Sequence, residues 1–479
     1  MSMPIRTCGR GSPTWFPSFS ATAVRWRRCA STFSPSNASC ADDGEVEARF
    51  SRGHAPIGGS REKGGLVARI VFALDHEEGH CFPTFKLARQ LEQRGHTVTY
   101  LGLPDTGALV RRQGFSFVPI LERFFPEGTV EQRKRAPQEK AAPSTAGNGK
   151  LGELEDRYLG ALARGEGLDG PVAEIQPDLF VLSWFVGGLA GLILHLRFAL
   201  PIVFLTPYFR PENRRQQVDQ LEGAVLELRW ATPPLFELIR RKAPAARRLR
   251  EVTGSLLSMP ELIQCPRELE LPREGADEPN VHYIEASVDL SRRPDQGFPW
   301  NRLEPGRKLL YVSLGSQSFL AGKKAVEEFL GAVAQGAGRH PQWQLVLSTG
   351  GQVDPAELPL PAGAIACPWV PQISILERAA LMVTHGGLGT IKECIFHDVP
   401  MVVFPIGRDQ PDNAKRVVHH GIGLSGDLKE ATPESIFEMI NAVDREPSFR
   451  DNVARMGRRF REVEGSGIGV QLIEAVLRG

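Results

Sequence analysis

Residues 369–416 read WVPQISILERAALMVTHGGLGTIKECIFHDVPMVVFPIGRDQPDNAKR. Two short apolar runs, Leu381–Thr384 (LMVT) and Met401–Phe404 (MVVF), flank a glycine-rich turn and a stretch with helical spacing, Gly389–Phe396. A second helical stretch, Pro411–His420, follows. Continuous apolar strands separated by helices indicate a parallel sheet covered on both faces.

The same alternation extends outward in both directions. Leu309–Leu314, Gln344–Ser348 and Ala364–Cys367 read as strands, and Lys323–Gly336, Pro433–Val443 and the C-terminal stretch as helices. Upstream, Arg69–Leu74, Thr97–Leu101, Phe115–Ile120, Asp178–Trp184 and Ile202–Leu205 read as strands, with a helix over Phe82–Arg94. The apolar stretch Leu179–Leu205 is interrupted by Gly187, Gly188, His195, Arg197 and Pro201, so it reads as strand, helix, strand. A membrane span needs about 18 or more uninterrupted apolar residues. The alternation pauses over Leu271–Gly306, which is rich in Pro, Gly and charge. The expected fold is α/β: two doubly wound Rossmann-like domains facing a cleft. The first occupies 67–285, a linker 286–306, and the second, with the C-terminal helices, 307–479. Ligands of such sheets bind beyond the carboxyl ends of the strands.

Two segments stand apart. Glu127–Lys150 is polar and rich in Lys, Pro and Gly, and reads as a mobile surface insertion. Residues 1–66 are rich in Ser, Arg, Gly and Pro without apolar periodicity, which predicts disorder. They read either as a targeting extension or as sequence upstream of a misassigned start, with Val67 as the start; the run Arg61–Gly65 favours the second reading. Over the whole chain, 57 basic and 56 acidic residues leave a formal charge of +1, so no bulk field favours nucleic acid or an anionic membrane. Seven cysteines, with no CxxC pair, argue against a disulfide framework or zinc site and for a reducing, cytoplasmic setting.

The glycine-rich turn carries chemistry. At Thr384-His385-Gly386-Gly387-Leu388-Gly389-Thr390 a strand ends and a helix begins, and unpaired N–H groups at a helix start stabilise a diphosphate. His385 and the Thr390 hydroxyl add hydrogen bonds. Trp369 can stack a pyrimidine or anchor the core beside Pro368. Gln372 can reach a ribose hydroxyl or the base. Glu393, one helical turn past Thr390, can accept ribose hydroxyls or be a solvated helix charge. Asp409-Gln410, after the second strand, suits vicinal hydroxyls of a hexose, and Asp409 also reads as a helix N-cap.

The order Trp-x-Pro-Gln, His-x-Gly, Thr, Glu, Asp-Gln resembles the signature of the family 1 glycosyltransferases, UDP-sugar-dependent enzymes with the GT-B fold. Gly389 stands where many plant members carry Asn, so the bacterial macrolide and carotenoid glucosyltransferases look closest in style. The resemblance implies that Trp369 and Val370 bind the uracil end, and Gln372 and Glu393 the ribose. It implies His385, Gly387, Gly389 and Thr390 at the diphosphate, with Ser316 from a second loop, and Asp409 and Gln410 at the sugar.

In the first half, Gly79-His80-Cys81-Phe82-Pro83 is similar to the family's catalytic-base element, with His80 placed between a strand end and a helix starting near Pro83. An imidazole with a pKa of about 6.5 suits proton abstraction near neutrality. His76 and His80, four apart beside Glu77 and Glu78, also invite a metal reading, which needs a helix there. The family usually carries an Asp that orients the histidine; at that place this chain has Ser183, after Pro177-Asp178. Loss of the analogous acid in serine proteases costs about 10⁴-fold. Asp75 or Glu78 are alternative sources of that charge. The implied activity is inverting transfer of a hexose, glucose by expectation, from a UDP-sugar to a hydroxyl of a lipophilic small molecule, with no metal or other cofactor. Trp184, Phe185, Phe209 and the insertion after Phe125 are candidate acceptor lining, core being the alternative. A UDP-sugar epimerase of the same fold, or a nucleotide-sugar-binding protein weakened by Ser183, are the rival readings. No nucleic-acid partner or transmembrane segment is expected, and peripheral membrane contact stays open.

Overall fold

A computed structural model of the chain describes residues 66–73, 78–129, 132, 150–210, 214–227, 231–244, 246, 249–272, 278–290, 297–316 and 318–479. The readings of 1–66 and of Glu127–Lys150 fall mostly outside these residues, as do Asp75, His76 and Glu77.

Among the described residues the strands form two sheets. The first contains β1 (Arg69–Ala73), β2 (Thr97–Gly102), β3 (Ser116–Pro119), β4 (Leu179–Ser183), β5 (Ile202–Thr206), β6 (Glu261–Ile263) and β7 (Val281–Tyr283), in the order β3-β2-β1-β4-β5-β6-β7. The second contains β8 (Lys308–Ser313), β9 (Trp343–Ser348), β10 (Ile365–Cys367), β11 (Ala379–Thr384), β12 (Met401–Val403) and β13 (Gly423–Ser425), in the order β10-β9-β8-β11-β12-β13. Every pairing is parallel. The helices that bear on the site are α1 (Glu78–Gln93), α2 (Trp184–Phe198), α3 (Lys323–Gly338), α4 (Gln372–Leu376), α5 (Leu388–Phe396), α6 (Gln410–His419), α7 (Pro433–Arg445), α8 (Pro447–Glu464) and α9 (Ile468–Arg478). This is the doubly wound pair that the sequence predicts. The run Leu179–Leu205 is indeed β4, α2 and β5, and no helix among the described residues is long and apolar enough to cross a membrane.

Both sheets reverse their winding once. The chain lays β2 and β3 on one side of β1 and then returns with β4 on the other side; β8 and β11 repeat this in the second sheet. Each reversal opens a crevice at the carboxyl ends of the two adjacent strands. These crevices lie at the ends of β1 and β4 in one half, and of β8 and β11 in the other.

Two expectations are corrected. The helix expected to start near Pro83 begins at Glu78, so Glu78 and His80 are helical and Pro83 lies inside α1. Proline lacks an N–H, so α1 forgoes the bond that residue 83 would donate to the Gly79 carbonyl. The last helix does not stay with the second half: Val470 and Ile473 of α9 are buried in the same apolar cluster as Ile70, Phe72, Phe85 and Leu91 of the first. Within the expected linker, Ala286, Val288 and Phe298 are buried with Leu309, Tyr311 and Met382.

Candidate functional site

The second-half crevice is built around one imidazole. His385 follows β11 and is 8% exposed, and burial lowers its pKa from 6.5 to about 4. The ring is therefore neutral at pH 7. Its Nδ1 lies 3.4 Å from Thr384 Oγ1, which also accepts from the Gly386 amide at 3.3 Å. The ring fits because two glycines make room. A Cβ on Gly315 would lie 2.4 Å from His385 Cε1, and one on Gly387 would lie 2.6 Å from Nε2. Gly315 has φ +71°, and it turns the chain after β8 toward exposed Ser316. Gly386, with φ +86°, turns the chain into α5, whose N-cap is Gly387. A helix capped by glycine offers its first-turn N–H groups outward. Exposed Gly389 sits in that turn, with nothing within 4 Å of its Cβ position.

Gln372, Thr390 and Glu393 come together. Gln372 opens α4; its Oε1 accepts from the Tyr311 hydroxyl at 3.1 Å, and its Nε2 donates to Thr390 Oγ1 at 3.3 Å and to Glu393 Oε2. Glu393 is 6% exposed, so it is not the solvated helix charge of the alternative reading. Trp369 lies beyond the end of β10 and is 48% exposed, which also removes its reading as a core anchor. Val370 is half-buried against the second-half core.

The turn after β12 adds a carboxylate. Asp409 precedes α6 without a side-chain cap bond; instead it accepts from Asn413 Nδ2 at 2.8 Å. Asn413 Nδ2 also donates to the Gly386 carbonyl at 3.0 Å and so ties Asp409 to the glycine turn. Burial raises the Asp409 pKa, opposed by Asn413, a backbone amide, His80 and Arg408. Gln410 is buried, and its Oε1 accepts from the Ile406 and Gly407 amides at 2.8 and 3.1 Å. That oxygen closes the loop, which leaves the NH₂ end of Gln410 as the donor to offer a ligand.

His80 comes from the other half. It is half-buried in the first turn of α1, with its ring centroid 6.0 Å from that of Tyr208, and it acts electrostatically on Asp409 across the cleft. Ser183 ends β4, holds the N-cap position of α2 without a side-chain cap bond, and is 1% exposed. Glu78 is exposed on α1. The side chains of Trp184 and Phe185 lie outside the described residues. Phe209 is corrected from lining to core: it is 3% exposed, with the Arg416 guanidinium 4.3 Å from its ring centroid. Its neighbour Tyr208 is the ring beside His80. Tyr208, Tyr311, Gly315 and Asn413 were not singled out from sequence; only the Asp409/Asn413 spacing of four on a helix was a readable signal.

Comparison with known proteins finds glycosyltransferases of the same fold. The family model for UDP-glucoronosyl and UDP-glucosyl transferases matches residues 261–478. A demethyllactenocin mycarosyltransferase of Streptomyces fradiae is 26% identical over 437 residues, covering 86% of this chain and 87% of that one. An oleandomycin glycosyltransferase of Streptomyces antibioticus is 28% identical over 410 residues, covering 83% and 88%. The crystal structure of the glycotransferase of kitacinnamycin is 27% identical, with a TM-score of 0.65, over 86% of this chain and all of that one. These likenesses support a family 1 glycosyltransferase, and the fold is the GT-B fold of the solved glycosyltransferases. The protein is a glycosyltransferase.

Proposed function

We propose that this enzyme moves a hexose, glucose in the first instance, from a UDP-sugar to a hydroxyl of a lipophilic small molecule, with inversion at the anomeric carbon. The observation that supports the reading is that His80, at one switch point, acts electrostatically on Asp409, beside the other. The two Streptomyces relatives, named for demethyllactenocin and oleandomycin, support a small-molecule acceptor.

Trp369 and Val370 hold the base, and Gln372 and Glu393 the ribose. The first turn of α5, with Gly387, Gly389 and Thr390, neutral His385 and Ser316 hold the diphosphate. Asp409 and the NH₂ of Gln410 hold the sugar hydroxyls. His80 removes the acceptor proton as the acceptor oxygen attacks the anomeric carbon from the face opposite the diphosphate. Negative charge then grows on the leaving diphosphate, where helix amides and the His385 ring are already oriented. The reading calls for no metal ion. Tyr208 flanks the acceptor beside His80. The enzyme acts in the cytoplasm.

Mass spectrometry of a phenol and macrolide acceptor panel, with UDP-glucose and dTDP-glucose in parallel arms, tests this. UDP-glucose is expected to give a mass gain of one hexose and a β-linkage by NMR. A product confined to the dTDP arm rejects the donor assignment, an α-linkage rejects the inverting mechanism, and free or epimerised sugar without acceptor rejects transfer.

A further inference from the structure

The donor helix α5 has two working faces. Thr390 and Glu393 face Gln372, whereas Lys392, lying between them in sequence, points elsewhere on the helix. Lys392 is 2% exposed, and its Nζ donates to the main-chain oxygen of Gln264 at 2.8 Å. Gln264 belongs to the opposite half, just past β6, where its amide donates to the Thr206 carbonyl at 2.9 Å. Its own side chain is also buried, and its Nε2 donates to the Pro83 carbonyl at 3.0 Å and to Ser287 Oγ at 3.3 Å. Pro83 is a residue of α1, three past His80. One residue of the first half thus touches both the donor helix and the helix that carries the proposed base.

We propose that Lys392 and Gln264 are positioning residues, a strut that fixes His80 relative to the donor by joining α5 to α1. A second line runs beside it. Glu464 of α8 accepts from Lys86 of α1 at 2.5 Å and from the Ser287 amide at 3.0 Å, and it acts electrostatically on Lys392. Glu393 and Cys265 also act electrostatically on Lys392; burial pushes the Cys265 thiol up to about 12, so it stays protonated. A buried ammonium is costly to desolvate, and an apolar side chain would pack there at least as favourably. Geometry rather than stability is therefore what the lysine supplies. A misplacement of about 1 Å between reacting groups can cost about 10²-fold in rate. The proposal rests on His80 being the base.

Two variants separate the parts. Lys392→Met removes the cation. Gln264→Met keeps the carbonyl that Lys392 uses and removes the bond to Pro83. It also removes Gln264 Oε1, which is buried without a hydrogen-bond partner among the described residues, and this offsets part of the cost of leaving the Pro83 carbonyl and Ser287 Oγ without its donor, so only a small fall of the thermal midpoint is expected. Hydrogen exchange of the amides from Gly79 to Phe85 reads the strut with neither donor nor acceptor present. Both variants are expected to raise exchange there about fivefold or more, with α7 unchanged. In transfer assays kcat should fall about tenfold or more while the donor KM stays within about threefold. Wild-type exchange at α1 together with wild-type kcat overturns the strut. So does a loss of donor affinity that accounts for the whole loss of rate, which marks a donor-site role only. If the wild-type protein transfers no sugar, the reading of His80 falls instead, and the exchange experiment still decides whether the strut exists.

Discussion

His385 is held by what its neighbours lack. Two missing methyl groups, at Gly315 and Gly387, create the slot for its ring. Gly315 also has φ +71°, where an L-residue costs about 1–2 kcal/mol. Gly315→Ala should therefore lower the urea midpoint and, by displacing the ring, weaken UDP binding about tenfold or more by calorimetry; unchanged affinity would show that His385 is not a donor contact. The slot also sets a pH dependence. With a folded pKa of about 4 against 6.5 unfolded, the unfolded chain binds the extra proton between those values. Stability from this group is complete above pH 6.5 and is lost as pH falls toward 4, by about 3 kcal/mol at most. Denaturant midpoints at pH 7 and 4.5 should thus lie closer together in His385→Asn than in the wild type; parallel acid losses would refute the assignment.

At the scale of elements, the regular strands were legible because their residues are apolar for several positions in a row. β1, β4, β5, β8, β9 and β11 all contain such runs, and their helical partners end at glycines or turns. Three strands were not legible. β6 (ELI), β7 (VHY) and β13 (GLS) are three residues each and, unlike the equally short β10 and β12, are not apolar throughout. β6 even begins with a carboxylate, Glu261, buried because Thr206 Oγ1 donates to it at 2.6 Å and Arg210 lies 3.1 Å away. That compensation comes from residues distant in sequence, so no local reading could find it. The residues proposed to hold the donor lie on consecutive elements, which is why the sequence brings them together as one motif. Its supports, Tyr311 and Gly315, come from β8 and its following loop, outside the motif. The start of α1 was misplaced because Pro83 looks like a first-turn residue. Gln372 links α4 to α5, and its removal leaves buried Glu393 short of a donor, which costs about 1–3 kcal/mol. Gln372→Ala should lower the urea midpoint accordingly and raise the UDP dissociation constant about tenfold; a change in neither would detach this pair from the site.

Across the whole molecule, the two sheets are joined by more than the chain. Arg416 of α6 donates to Glu270 of the first half from Nε at 3.0 Å and from Nη2 at 2.5 Å, with both side chains below 8% exposure. Breaking a buried pair by removing one partner costs about 3–5 kcal/mol. Arg416→Met should lower the thermal midpoint markedly, and restoration by Glu270→Leu in the same chain would show that the cost is an orphaned charge. The return of α9 to the first half makes the C-terminus part of both. On the proposed reading, the cleft presents a donor held by α5 and Asp409 to His80. The direct measurement is calorimetric titration of UDP-glucose into wild type and His80→Ala, with quenched transfer assays on the same samples. The account predicts equal donor affinity within about threefold and a loss of transfer of about 10²–10⁴-fold in the variant. Undiminished transfer by His80→Ala, or no binding of UDP-glucose to either protein, would contradict it.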